Sequence, residues 1–141
     1  MSTLLQIPST EETLHHSLFQ DKGVKVHIKR DDLIHPIISG NKYRKLHLQI
    51  EKVKSSHHKT LLTFGGAFSN HIAATAAAGA LFNFNTIGII RGDESRNLNT
   101  TLQRAHKQGM QLEFYSREDY KIKHTQDFKE HIRTRFGAVH L

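Results

Sequence analysis

Apolar and polar positions along the chain fall into short runs of two kinds. Val24–Lys29 (VKVHIK) alternates apolar and polar, the period-two pattern of a half-buried strand. Asp31 to Gly40 reads as a loop, punctuated by Pro36 and Gly40. From Lys42 to Lys54 the apolar Leu46, Leu48, Ile50 and Val53 stand among charged, helix-favouring residues, which predicts a helix. Thr60–Phe64 (TLLTF) is a short buried strand ended by Gly65-Gly66, and Ser69 opens an alanine-rich helix running to about Leu81. Thr86–Ile90 (TIGII) is the next buried strand, ended by Arg91-Gly92. A helix over 97–108 follows, with Gly109 as its stop, then a strand over Met110–Phe114. A polar helix is predicted over 117–135, and after Gly137 a last strand begins at 138–141.

Strand and helix alternate throughout. That order predicts an α/β fold: an open parallel sheet flanked by helices on both faces, joined by right-handed crossovers. Ligands of such sheets bind beyond the carboxyl ends of the strands. The rule selects three loops: Gly65 to Asn70, Arg91 to Asn97, and Tyr115 to Arg117. The closing Ala-Val-His-Leu reads as a strand entering a sheet with nothing after it, the expectation for part of a longer polypeptide.

Composition narrows the classes. There is no cysteine, so neither a disulfide framework nor a thiolate metal site can form, in keeping with a cytoplasmic location. The amino terminus lacks the basic start and long apolar run of a signal peptide, and no stretch is long enough to span a bilayer. The net charge of +7 raises nucleic-acid binding as a rival. The basic residues are dispersed, however, and no basic run interleaves with aromatics, so the expectation is no nucleic-acid and no membrane partner. The 12 histidines include the neighbours His15-His16 and His57-His58, whose side chains diverge on any regular element; no metal site is expected.

Two segments carry candidate chemistry. In Phe64-Gly-Gly-Ala-Phe-Ser-Asn-His71 a strand turns into a helix. Gly65 and Gly66 permit positive φ and close backbone approach, and Ser69 and Asn70 occupy capping positions. The helix N-terminus there could hold an anion, which defines a second rival, a non-catalytic anion-binding α/β module. An ordinary capped turn would look the same. In Ser39-Gly-Asn-Lys-Tyr-Arg-Lys-Leu46 a lysine follows a Gly-Asn turn at a helix start. The helix dipole disfavours a positive charge at that place and so favours the neutral amine that Schiff-base chemistry needs. An ordinary surface lysine is the plainer alternative for Lys42, and Lys45 is its solvated neighbour.

Together the segments Gly40-Asn41-Lys42-x-Arg44-Lys45-Leu46 and Gly65-Gly66-x-x-Ser69-Asn70-His71 resemble the 1-aminocyclopropane-1-carboxylate (ACC) deaminase and D-cysteine desulfhydrase family. The resemblance extends upstream to Lys29-Arg30-Asp31-Asp32 and downstream to Ile89-Ile90-Arg91-Gly92 and the strand over Met110–Phe114. It implies the tryptophan-synthase β-like fold and pyridoxal 5'-phosphate (PLP) as cofactor. It also implies lyase or deaminase chemistry on a small amino acid, D-cysteine or ACC, and a homodimer for the complete enzyme.

Carried over residue by residue, the resemblance makes Lys42 the Schiff-base lysine that later moves protons. Asn70 would hydrogen-bond the phenolic oxygen of the pyridoxal ring. Ser69 would act on the substrate side, touching the substrate carboxylate or assisting proton transfer, and His71 would line the same loop. Asn41 and Gly40 would shape the turn presenting Lys42, and Asp31 and Asp32 would organise the loop by hydrogen bonding. Complete members of the family are longer, and their C-terminal half supplies the phosphate-binding loop, the partner of the pyridine nitrogen and a substrate-facing tyrosine. The chain is thus expected to be the N-terminal half of such an enzyme and inactive alone. Residues 41–141 would form the small α/β domain. Residues 1–40 would pack on a larger domain, leaving Leu4, Leu5, Leu14, Leu18 and Phe19 exposed without it.

Overall fold

The computed structural model describes residues 5–92 and 98–140. The elements run β1 (Glu11–Leu14), α1 (Ser17–Asp21), β2 (Val26–Lys29), a 3-10 turn (Asp31–Leu33), α2 (Gly40–Ser55), β3 (Thr60–Gly66) and α3 (Asn70–Phe82). They continue with β4 (Asn85–Arg91), α4 (Thr100–Lys107), β5 (Met110–Tyr115), α5 (Arg117–Lys121) and α6 (Gln126–Phe136).

The centre is a three-stranded parallel sheet in the order β3-β4-β5. Leu61 lies opposite Thr86, and Thr86 opposite Met110. The middle strand is buried from Thr86 to Ile90, because helices cover both faces and a parallel strand so placed must be apolar on both sides. On one face Leu61 packs with Leu46, Ile50 and Val53 of α2 and with Ala74, Ala77 and Ala78 of α3. Beside them Ile90 and Met110 meet Ile72 and Ala76 of α3 and Leu102 and Ala105 of α4. On the other face Leu62, Ile87 and Ile89 pack on Phe128 and Ile132 of α6. The small side chains of α3 let it lie close to the sheet, with seven residues from Ile72 to Gly79 buried.

The structure corrects four expectations from the sequence. The first predicted strand does not join the parallel sheet. It is shortened to β2 and pairs antiparallel with β1, a strand the pattern did not reveal, in a separate two-stranded hairpin. Short α1, capped by the His16 ring, was likewise not foreseen. The single helix over 117–135 is broken into α5 and α6, because the Thr125 hydroxyl accepts the Phe128 N–H and starts a new helix. The last predicted strand is a single parallel bridge, Leu61 opposite His140, made by two backbone hydrogen bonds of 2.7 and 3.0 Å; Leu141 lies outside the described residues.

Two ion pairs brace the amino-terminal hairpin and its exit, and a third ties the exit to α2. The Arg30 guanidinium donates to both Glu12 oxygens at 2.8 and 2.9 Å and also reaches Asp32. Arg44 of α2 grips Asp31 with two bonds of 2.8 and 2.7 Å, and the Ser9 hydroxyl donates to the same carboxylate. Arg44 first, then Ser9, holds the Asp31 carboxyl down to about 2. The hairpin itself buries little: Leu14 is 39%, Leu18 53%, Val24 50% and Ile28 38% exposed. Leu5 and Phe19 are half-buried, and Leu4 lies outside the described residues. No helix among the described residues is long and apolar enough to cross a membrane.

Candidate active site

The start of α2 is shaped by the loop before it. His35 is buried, and its Nδ1 accepts the N–H groups of Ile37 at 3.1 Å and Ile38 at 3.0 Å. Ile34 and Ile38 are buried and anchor the loop. Gly40 enters the helix at φ +54°, a left-handed conformation that a side chain would strain. Two residues later Lys42 sits in the first turn, half-buried, its N–H donated to the Ser39 carbonyl. Asn41, Arg44 and Lys45 are exposed.

The loop from β3 to α3 differs from the expectation in one respect. Neither Gly65 nor Gly66 takes a positive φ. Gly65 is needed for close packing instead: a Cβ there would lie 2.5 Å from Ile72 Cγ1 and 2.8 Å from the Ser69 hydroxyl. Ser69 caps α3, its hydroxyl accepting the N–H groups of His71 at 3.2 Å and Ile72 at 3.3 Å. Two of the donors that a free anion would use at this helix end are therefore already satisfied. The Asn99 side chain braces the loop by donating to the Ala67 carbonyl at 2.8 Å and also caps α4 by accepting the Leu102 N–H.

Lys42 and Asn70 line one cleft of about 340 Å³. Its floor includes Ala73, one turn into α3, and its far wall is the polar face of α4. That wall comprises Thr100, Thr101, Arg104 and Gln108, which the sequence reading did not single out. Their spacing of one and two helical turns, opposite the apolar Leu102 and Ala105, was the available signal. Ser69 and His71 are not among the lining residues. The Ser69 hydroxyl is turned into its own helix, and His71 is half-buried beside the charges of Lys42 and Lys45. Of the other two loops selected earlier, residues 93–97 lie outside the described residues. Tyr115 opens on a separate cleft of about 370 Å³ against Phe128 and His131.

Burial pushes the His35 imidazole below its ordinary value; for His71 burial acts first and the ammonium groups of Lys45 and Lys42 add to it. A neutral His35 is also what the geometry requires, since a protonated Nδ1 cannot accept two N–H groups. Both rings bind protons more weakly folded than unfolded. Their contribution to stability is therefore complete above the unfolded value of roughly 6.5 and is lost progressively as pH falls below it. Thermal melting between pH 7.5 and pH 5.5 is expected to show a falling midpoint. In His35→Asn, whose carbonyl can accept the same N–H groups without titrating, the fall should be smaller. An equal fall in both proteins would remove His35 from this account.

No protein-family model matches the chain. Among curated proteins it is 36% identical over 103 residues to the mitochondrial bifunctional D-cysteine desulfhydrase/1-aminocyclopropane-1-carboxylate deaminase of Arabidopsis thaliana, covering 70% of this chain and 26% of that protein. It is 29% identical over 119 residues to a putative 1-aminocyclopropane-1-carboxylate deaminase of Pyrococcus horikoshii, covering 83% of this chain and 36% of the relative. It is 34% identical over 68 residues to the D-cysteine desulfhydrase of Salmonella newport, 48% of this chain and 21% of that enzyme. Among solved structures, that of an ACC deaminase homologue superposes with a TM-score of 0.67 at 25% identity, over 94% of this chain and 40% of its own. The chain thus spans between about a fifth and two fifths of the length of these relatives.

Proposed function

We propose, from the premise that this chain belongs to the ACC deaminase/D-cysteine desulfhydrase family, that it carries the lysine and asparagine of a PLP-dependent lyase acting on a small amino acid. The observation that carries this reading is the meeting of Lys42 and Asn70 in one cleft. The donor set fits the cofactor: an amine to hold it covalently, a carboxamide to bond its phenolic oxygen, and no carboxylate among the lining residues. When bound, PLP supplies an electron sink for a carbanion at the substrate Cα.

The chain's own residues have distinct tasks in this reading. Lys42 holds the cofactor and, once released from it, carries a proton at the substrate Cα. Asn70 orients the ring. The Ser69 oxygen is committed to two backbone N–H groups, which leaves its own proton to donate toward the substrate carboxylate. His71, held neutral, flanks the Lys42 amine without adding charge. Asp31 keeps to its ion pair with Arg44 of α2 and Asp32 to its pair with Arg30, and neither takes part in the chemistry.

The substrate is D-cysteine, converted with water to pyruvate, sulfide and ammonia, or ACC, converted with water to 2-oxobutyrate and ammonia. Turnover belongs to the longer polypeptide represented by the relatives' length, a homodimer, in which residues 1–40 pack on a larger domain and 41–141 form the small one. The chain alone is expected to turn over neither substrate. The test is borohydride reduction after PLP addition to the polypeptide extended to the relatives' length, followed by peptide mapping. Recovery of the pyridoxyl group on the peptide containing Lys42 is the expected result. A label distributed over the exposed lysines would reject the assignment.

A further inference from the structure

His35 is a buried titratable side chain that the chemistry proposed above does not use. We propose that it is a positioning residue for Lys42: it does not itself line the cleft, and its bare Nδ1 fixes the loop that walls the cleft and leads into the turn carrying Lys42. The proposal rests on the function proposed above in taking Lys42 to be the lysine that holds PLP.

The first support is what the ring holds. Its Nδ1 accepts the N–H groups of Ile37 and Ile38 beside the fully buried side chains of Ile34 and Ile38. Among the described residues no backbone carbonyl takes either N–H. Without the ring both donors lose their partner where water hardly reaches, which costs more than an ordinary hydrogen bond contributes. Accepting two N–H groups requires an Nδ1 without a proton, so the neutral ring carries its proton on Nε2.

The second is what the loop does. Pro36, Ile37 and Ser39 line the cleft beside Lys42. No side chain caps α2, since Ser39 stands at the capping position without bonding a helix N–H. Gly40 enters at φ +54°, and the Lys42 N–H reaches back to the Ser39 carbonyl at 3.1 Å. The turn that carries Lys42 is thus fixed from the loop side, and the loop is fixed at His35.

The third is the charge around the ring. Asp31 and Asp32 in the 3-10 turn before it are held by Arg44 and Arg30. The start of α2 carries Lys42, Arg44 and Lys45, and Arg104 stands across the cleft. None of these groups acts on the imidazole, whose proton affinity is lowered by burial alone. No carboxylate supports a charged ring, so the hydrogen-bonded form is the neutral one.

The first arm of the test uses the 141-residue chain without PLP, over the pH range in which circular dichroism shows it folded. The backbone amide resonances of Ile37, Ile38 and Lys42 are expected to titrate together with the His35 ring, at a midpoint below roughly 6.5. In His35→Asn, whose carboxamide oxygen takes the place of Nδ1, that step should be absent.

The second arm measures PLP attachment at Lys42, trapped with borohydride, in the polypeptide extended to the relatives' length. At pH 7.5 His35→Asn should match wild type. His35→Gln, whose oxygen lies one bond further out, should attach PLP about tenfold more weakly, because both N–H groups lose their acceptor. On acidification every variant loses affinity as the Lys42 amine takes up its proton, and His71 titrates alike in all of them. Below the His35 midpoint wild type should lose up to about tenfold more per pH unit than His35→Asn, the effect of one further proton. A ring that only filled space would give equal losses in the Asn and Gln variants. Parallel pH profiles for wild type and His35→Asn, or a Lys42 amide that does not follow the His35 ring, would overturn the proposal. Failure of PLP to attach at Lys42 at any pH would instead reject the function proposed above, and the amide titration would still decide whether His35 governs the Lys42 turn.

Discussion

Lys42→Ala is expected to abolish borohydride-stable attachment of PLP at a defined site, and Lys45→Ala to leave it in place. The two lysines lie one turn apart on α2 and share the same helix propensity and charge, so any difference between them reports position. Lys42 is half-buried and lines the cleft with Asn70, whereas Lys45 is exposed and lies outside it. A specific adduct needs the amine held where the ring can be gripped, and Lys42 alone of the two meets that condition. Removing it takes away the nucleophile itself, so the expected loss is complete and not graded. The absorbance of the adduct and the mass of the reduced peptide measure the outcome. Residual labelling of one other lysine in Lys42→Ala, at the wild-type level, would place the site elsewhere.

Ile72→Ala is expected to be the most destabilising single change near the site, lowering stability by about 2–5 kcal/mol. Ile72 is fully buried in the first turn of α3 and packs with Ile90, Leu102 and Met110. It fills the space that two glycines leave open: its Cγ1 would stand 2.5 Å from a Cβ on Gly65, and its Cδ1 3.4 Å from one on Gly88. Gly65 and Gly88 have no side chain to close the cavity, so relaxation is left to Met110 and its neighbours and the cost stays within that range. Against a typical total of about 5–15 kcal/mol such a loss moves the urea midpoint far more than any surface change. Leu48→Ala, at a position 61% exposed on α2, is the control and should shift stability by no more than about 0.5 kcal/mol. Equal midpoints for the two variants would contradict this reading of the core.

The parts of the fold that were legible in the sequence are those whose signal is local. β3 and β4 read as continuous apolar runs because both of their faces are covered, and α3 opens where Ser69 can cap it. What was not legible depends on partners distant in the chain. Glu11–Leu14 has no strand pattern of its own and becomes β1 through pairing with β2. The alternation in β2 announces a strand and says nothing of which sheet it joins. The break at Thr125 was written locally, in a threonine three residues before a buried phenylalanine, but a polar stretch of good helix formers hides it.

The site divides in the same way. Lys42 and Asn70 stood out through their motifs. Their meeting depends on α2 packing on α3 through Leu46, Ile50, Ala74 and Ala77. Arg104 carries no motif, and only the packing of α4 on α3 makes it part of the cleft.

The bridge between Leu61 and His140 bears on how the chain is made. The pairs of β3 with β4 and of β4 with β5 join neighbours in synthesis order and can form as each strand leaves the ribosome. The outer edge of β3 is different, because the backbone groups of Thr60 and Leu62 that face it find their partner only at His140. Throughout translation of α3, β4, α4, β5, α5 and α6 that edge presents open hydrogen-bonding groups beside the buried Leu61 and Leu62. An unpaired parallel edge of this kind is a template for any extended segment nearby. The nascent protein is therefore most exposed to mispairing along β3, the strand that leads into the Ser69–Asn70 loop, and it stays so until the residues around His140 emerge.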